Sequence, residues 1–212
     1  MKNLFDANAP LMRKLAQIPD LVVLNLIWMV CCLPVFTAGA ATAALHTVTQ
    51  AYAAGEENGI FRPFFRAFRN DFRQSTLLWL PIMGLIAVLT VDFLYLAANG
   101  TGLRLLLWVP FLIIGTIVLV LTVYAFPLIA RYHNETKTIV SNAFLLFSLH
   151  FFPSLGVMAL HLIPCVLLIV SPNIFLRTSP LWLFAGGSLI AYIADHILLP
   201  IFKKYDPPKE EA

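Results

Sequence analysis

Two carboxylates stand inside long apolar runs of this chain: Asp92 and Asp195, the second followed directly by His196. A bare charge at the centre of a bilayer costs at least ~2.5 kcal/mol, so a residue of this kind is either paired or at work on a proton, ion or ligand. Asp92 falls about four turns into its run, near an interface where a carboxylate stays hydrated. Asp195 falls about two turns before the basic tail, and is expected to pair with Lys203 or with an arginine of another loop. His46, with Thr47 and Gln50, sits among small residues, placed either to line a polar cavity or to hold a short helix by hydrogen bonds. Asn25 is expected to bond across to that same stretch. His133, His150 and His161 lack the spacing of metal ligands, and no phosphate loop, G-x-S-x-G or dinucleotide fingerprint is present. With no nucleophile–base pair in view, neither an enzyme nor a bound cofactor is expected. Cys31, Cys32 and Cys165 lie in apolar runs without a C-x-x-C, and read as packing residues.

The elements that position these residues follow from composition. The chain is 60% hydrophobic and 12% charged, with a mean hydropathy of +0.84. A soluble domain carries about 25% charged residues, so this chain has half the charge a water-facing surface needs. It reads as an all-α, polytopic helical bundle, a single domain whose 212 residues leave room for five or six spans with short connections. The net charge of +3 is small and its basic residues flank apolar runs. Those residues meet phospholipid, so the lipid bilayer is an expected partner and nucleic acid is not.

Hydropathy and breakers place spans at about 21–35, 39–54, 77–98, 105–130, 152–170 and 181–202, with a second apolar segment at 138–151 and a charged, disordered tail over 205–212. The uncertain stretch is 36–54, which either prolongs the first span or turns back as a second helix. In the first case the better orientation divides the fourteen Lys and Arg nine to five; in the second only Arg104 and Arg177 lie outside. The positive-inside rule favours the second, with both termini in the cytoplasm. Pro34 then ends the first helix, Thr37 lies in the turn, and Gly39 permits a tight reversal. The returning helix is only ~24 Å long, too short to span unaided, and is expected to be short or re-entrant inside the bundle.

Residues 60–75 carry a different pattern. On one helix, Phe61, Phe64, Phe65, Phe68 and Phe72 share an apolar face while Arg62, Arg66, Arg69 and Arg73 share a cationic one. Such a helix lies in the headgroup plane and offers a membrane-interface or partner-docking surface.

The residues Leu24-Asn25, Trp28, Leu33-Pro34, Thr37, Gly39-Ala40 and Ala44-Leu45, with FFRAFRNDFRQS at 64–75, resemble the signature of the YesL-like family of bacterial integral membrane proteins. A weaker likeness continues at Arg131-Tyr132-His133-Asn134 and Asn142-Ala143. The resemblance implies a small multi-helix protein of the bacterial cytoplasmic membrane. Its relatives often accompany carbohydrate-uptake and polysaccharide-degradation systems in Gram-positive bacteria. It brings no catalytic residues, and His46 departs from the aromatic residues common at that place. Two functions are therefore expected to compete. One is an accessory or regulatory component of carbohydrate uptake, docking on a sugar permease or another membrane transport subunit. The other is a small autonomous solute transporter using His46, Asp92 and Asp195.

Overall fold

A computed structural model describes residues 10–56, 58–98 and 104–206, with side chains placed except at 10–16, 96–98 and 104–107. The order is α1 (Pro10–Cys32), a 3₁₀ turn (Val35–Thr37), α2 (Ala38–Ala53), α3 (Phe61–Asn70), α4 (Phe72–Ala98), α5 (Arg104–Arg131), α6 (Thr136–Leu149), α7 (Phe151–Val170), α8 (Pro172–Arg177), α9 (Ser179–Leu181), a π-helical turn (Trp182–Gly186) and α10 (Gly187–Phe202). The described chain is an all-α bundle. Four helical stretches are long and apolar enough to cross a membrane: Phe72–Tyr95, Trp108–Arg131, Phe151–Val170 and Ser179–Phe202. Apolar helices of this kind belong to a membrane protein.

The hub is α2, which packs against α1, α3, α4, α5 and α10. Its composition explains the position. Ala40, Ala41, Ala43 and Ala44 are completely buried, and side chains this small let neighbouring backbones approach. A stretch too polar to face lipid is thereby given no lipid to face. It runs antiparallel to α1, since Tyr52 at its far end donates to Asp20 of α1 at 2.9 Å. Burial, not hydropathy, separates the outer helices from the inner ones. The windows of α4 and α7 are 11% and 17% buried, against 50% for α5, so α4 and α7 present most of their surface outward.

The reversal between α1 and α2 differs from the expected one. Thr37 makes it: its hydroxyl donates to the carbonyls of Cys31 (2.5 Å) and Pro34 (2.6 Å). Gly39 lies inside α2 and does not adopt a positive φ, which among described residues is found only at Gly55 and Gly59. Its role is close approach, because a Cβ there would stand 2.6 Å from Cβ of Trp79 and 2.7 Å from the carbonyl of Ser75 on α4.

The helix expected over 60–75 is two. α3 ends at Asn70, Asp71 leaves helical geometry (φ −96°, ψ 3°), and Phe72 and Arg73 open α4. α3 also has three faces rather than two. Phe64 and Ala67 are buried against the bundle, Phe61 and Phe65 are exposed, and Arg62 and Arg66 lie on a third side. α6, the second short apolar helix, packs on α5 through Ile139, Ala143 and Leu146. Both its ends stay at one end of the bundle: Gln74 donates to the carbonyl of Asn134 just before it, and His150 just after it meets the Tyr205 hydroxyl at 3.1 Å. At that end, too, the tail is held at its start. Arg131 forms a two-pronged ion pair with Asp206, and Tyr132 donates to the same carboxylate at 2.7 Å. The disorder expected from 205 onward therefore does not include Asp206; residues 207–212 lie outside the described residues.

Candidate functional site

Asp195 of α10 is fully buried and its partner is His46, not Lys203 or an arginine. Nδ1 of His46 lies 3.1 and 3.0 Å from the two carboxylate oxygens. Thr49, one turn further along α2, donates to the carboxylate at 2.5 Å. Gln50 reaches it at 3.5 Å while its amide also donates to the carbonyl of Pro127 on α5 at 2.9 Å. His46, Thr49 and Gln50 share one face of α2 because they stand three and four residues apart. A carboxylate satisfied by an imidazole, a hydroxyl and an amide is tolerable where a bare one is not. His161 of α7, its Nδ1 held by the carbonyl of Val157 at 2.9 Å, lies within electrostatic reach of both His46 and Asp195. The cluster thus ties α2, α5 and α10 together through buried hydrogen bonds.

The remaining candidates fall elsewhere. Asp92 is exposed on α4, outside this cluster. His196 is exposed on the far side of α10, stacked edge-on to Tyr192 with its Nδ1 3.2 Å from that residue's carbonyl. Asn25 is fully buried but bonds to the last helical segment rather than to α2. Its amide donates to the carbonyl of Leu183 at 2.7 Å and its oxygen accepts from the backbone of Ser188 at 2.9 Å. Those two groups are five residues apart across the π-helical turn, which opens the helix ladder and leaves them for a side chain to fill. The side-chain links from α1 to α2 are made instead by Trp28, whose indole donates to Thr42 at 3.3 Å, and by Tyr52, which donates to Asp20. Among the described residues no group of three or more His, Cys, Asp or Glu is arranged to hold a metal ion.

Around the end where α2, α5 and α10 finish lie two polar clefts. One, of about 330 Å³, is lined by Thr47, Gln50, Asn58 and Arg131 and so reaches the buried cluster through Gln50. The other, of about 640 Å³, lies between α3 and the segment after α5. Asp71 at its edge is buried; burial pushes its carboxyl up from the usual range, and the nearby His133 pulls it partly back.

Fold and site together define a helical membrane-type bundle with a polar, hydrogen-bonded centre. Comparison with known proteins agrees with the signature. Residues 21–93, which carry α2 and α3, match the family described as "Protein of unknown function, DUF624". The chain is also 28% identical over 201 residues to "Uncharacterized protein YesL" of Bacillus subtilis (strain 168), covering 90% of this chain and 88% of that one. The chain is thus similar to YesL over most of its length and to the DUF624 family model over residues 21–93. No solved structure matches it.

Proposed function

We propose that the protein is an accessory or regulatory component associated with carbohydrate uptake in the bacterial cytoplasmic membrane. The observation that supports it is the outward face of α3. Phe64 anchors the helix in the bundle, which leaves Phe61 (59% exposed) and Phe65 (49% exposed) facing outward beside Arg69. Phe65, Phe68, Arg69 and Phe72 together line an open apolar hollow of about 480 Å³. Aromatic anchors with a flanking arginine are the residues that carry binding energy at protein interfaces. The basic end is read as cytoplasmic, with both termini there, on the positive-inside rule. The link to carbohydrate uptake rests on the family resemblance. In-membrane cross-linking in the native host, followed by mild-detergent purification, should recover a sugar permease or another transport subunit. F65A/R69E should reduce that recovery. Recovery of the protein alone, reproducibly, would remove the reading.

A second reading, a small solute transporter, is favoured by one observation: the buried His46–Asp195 pair communicates with a polar cleft through Gln50. Under that reading D195N abolishes a solute-dependent phenotype while the protein still inserts. Under the accessory reading D195N acts through stability and leaves a correctly inserted protein functional.

A further inference from the structure

The cleft between α3 and the segment after α5 has the chemistry of an anion site. Arg62 and Arg66 stand one turn apart on α3 and point into it together, with Asn58, Asn70 and Thr47 around them and His133 opposite. Pro63, Ala67 and Ala130 supply an apolar floor. Among the described residues neither arginine has a carboxylate within ion-pair distance, whereas Arg131 nearby is fully engaged by Asp206. Two guanidinium groups in one cleft, with no carboxylate in ion-pair distance among the described residues, repel each other, and a bound anion offsets that repulsion. Asp71 closes one side of the cleft and faces His133, which offsets its charge.

We propose that this cleft binds a phosphate-bearing ligand, its phosphate oxygens held by Arg62 and Arg66. The planar fork of a guanidinium matches phosphate oxygens two at a time, and two forks one turn apart address a single tetrahedral group. The asparagine amides and the Asp71 carboxylate then face the rest of the ligand and accept its hydroxyl groups. A volume of about 640 Å³ accommodates a small phosphate ester or a phospholipid headgroup equally well. The inference goes beyond the accessory reading and survives its failure, because it uses the cleft-facing side of α3, with Arg62 and Arg66, rather than Phe65 and Arg69.

The test uses two probes on the full chain. In neutral detergent, inorganic phosphate is titrated against sodium chloride at matched ionic strength and the melting temperature is followed. In nanodiscs of equal parts phosphatidylglycerol and phosphatidylcholine, the retained phosphatidylglycerol is counted by native mass spectrometry. R62A/R66A should weaken the responsive probe by about tenfold or more, since each lost bond is charge-assisted. R62K/R66K, which keeps charge and fold but loses the fork, should weaken it less, and R69A not at all. A response to phosphate assigns a soluble ligand; retention of phosphatidylglycerol without a phosphate response assigns a lipid headgroup. The inference is overturned if wild type, R62K/R66K and R62A/R66A respond alike to both probes, or if R69A has the same effect as the cleft variants.

Discussion

At the scale of single residues, the centre of this molecule is a carboxylate that cannot be left alone. With His46 removed, Asp195 keeps only Thr49 and the long contact to Gln50. Breaking a buried pair from one side typically costs about 3–5 kcal/mol, so H46A and D195A should each lower stability in detergent by about 3 kcal/mol or more. The double variant should lose less than the sum, because neither group is then stranded. Additive losses would mean that the two side chains do not interact. Asp206 supports a second expectation. Its hydrogen bond to Arg131, aided by burial-opposing contacts from Tyr132, holds its carboxyl below the usual range. A lowered folded value means that this stabilisation is complete above the ordinary carboxylate range and fades as pH falls through it towards the lowered value. D206N should therefore release the tail at neutral pH, whereas in wild type protease sensitivity of the C-terminus should rise only as pH falls from about 5 to about 3. Both halves of the central pair were legible in the sequence as ionisable residues in apolar surroundings. Their partnership was not, because 149 residues separate them and nothing local in either segment names the other.

At the scale of elements, small residues decide where helices meet. A Cβ at Gly39 would collide with Trp79 and Ser75, and one at Gly187 would stand 2.6 Å from the Trp28 ring and 3.0 Å from the Asn25 oxygen. G39A and G187A should each destabilise the bundle by about 1–3 kcal/mol through overpacking, measured as lost melting temperature. G84A, whose Cβ would meet nothing within 4 Å, is the control. The hairpin was legible because proline, a short turn and an alanine-rich helix follow in sequence. The break at Asp71 was not, because the aromatic spacing runs on from Phe68 to Phe72 as if one helix continued. The π-helical turn was hidden for a similar reason: an apolar run carries no mark of a widened ladder, and only Asn25, distant in sequence, shows that two backbone groups need a partner.

At the scale of the whole molecule, charge is sorted by end. Arg62, Arg66, Arg69, Arg73, Arg131, Lys203 and Lys204 lie where α2, α5 and α10 finish and α4 starts, while Arg177 follows α7 at the other end. The clefts, the exposed aromatic face of α3 and the anchored tail all share the basic end, so the proposed role requires that end to face the cytoplasm. Composition made the class of protein legible, and the charge count anticipated which loops belong together. The clefts escaped it, since each is built from segments far apart in the chain. The most direct test labels single cysteines in intact cells with a membrane-impermeant maleimide, after changing Cys31, Cys32 and Cys165 to serine. R177C should be labelled from outside, and R66C should react only once the membrane is opened. Labelling of R66C in intact cells would place α3 and its cleft outside, and would contradict the account.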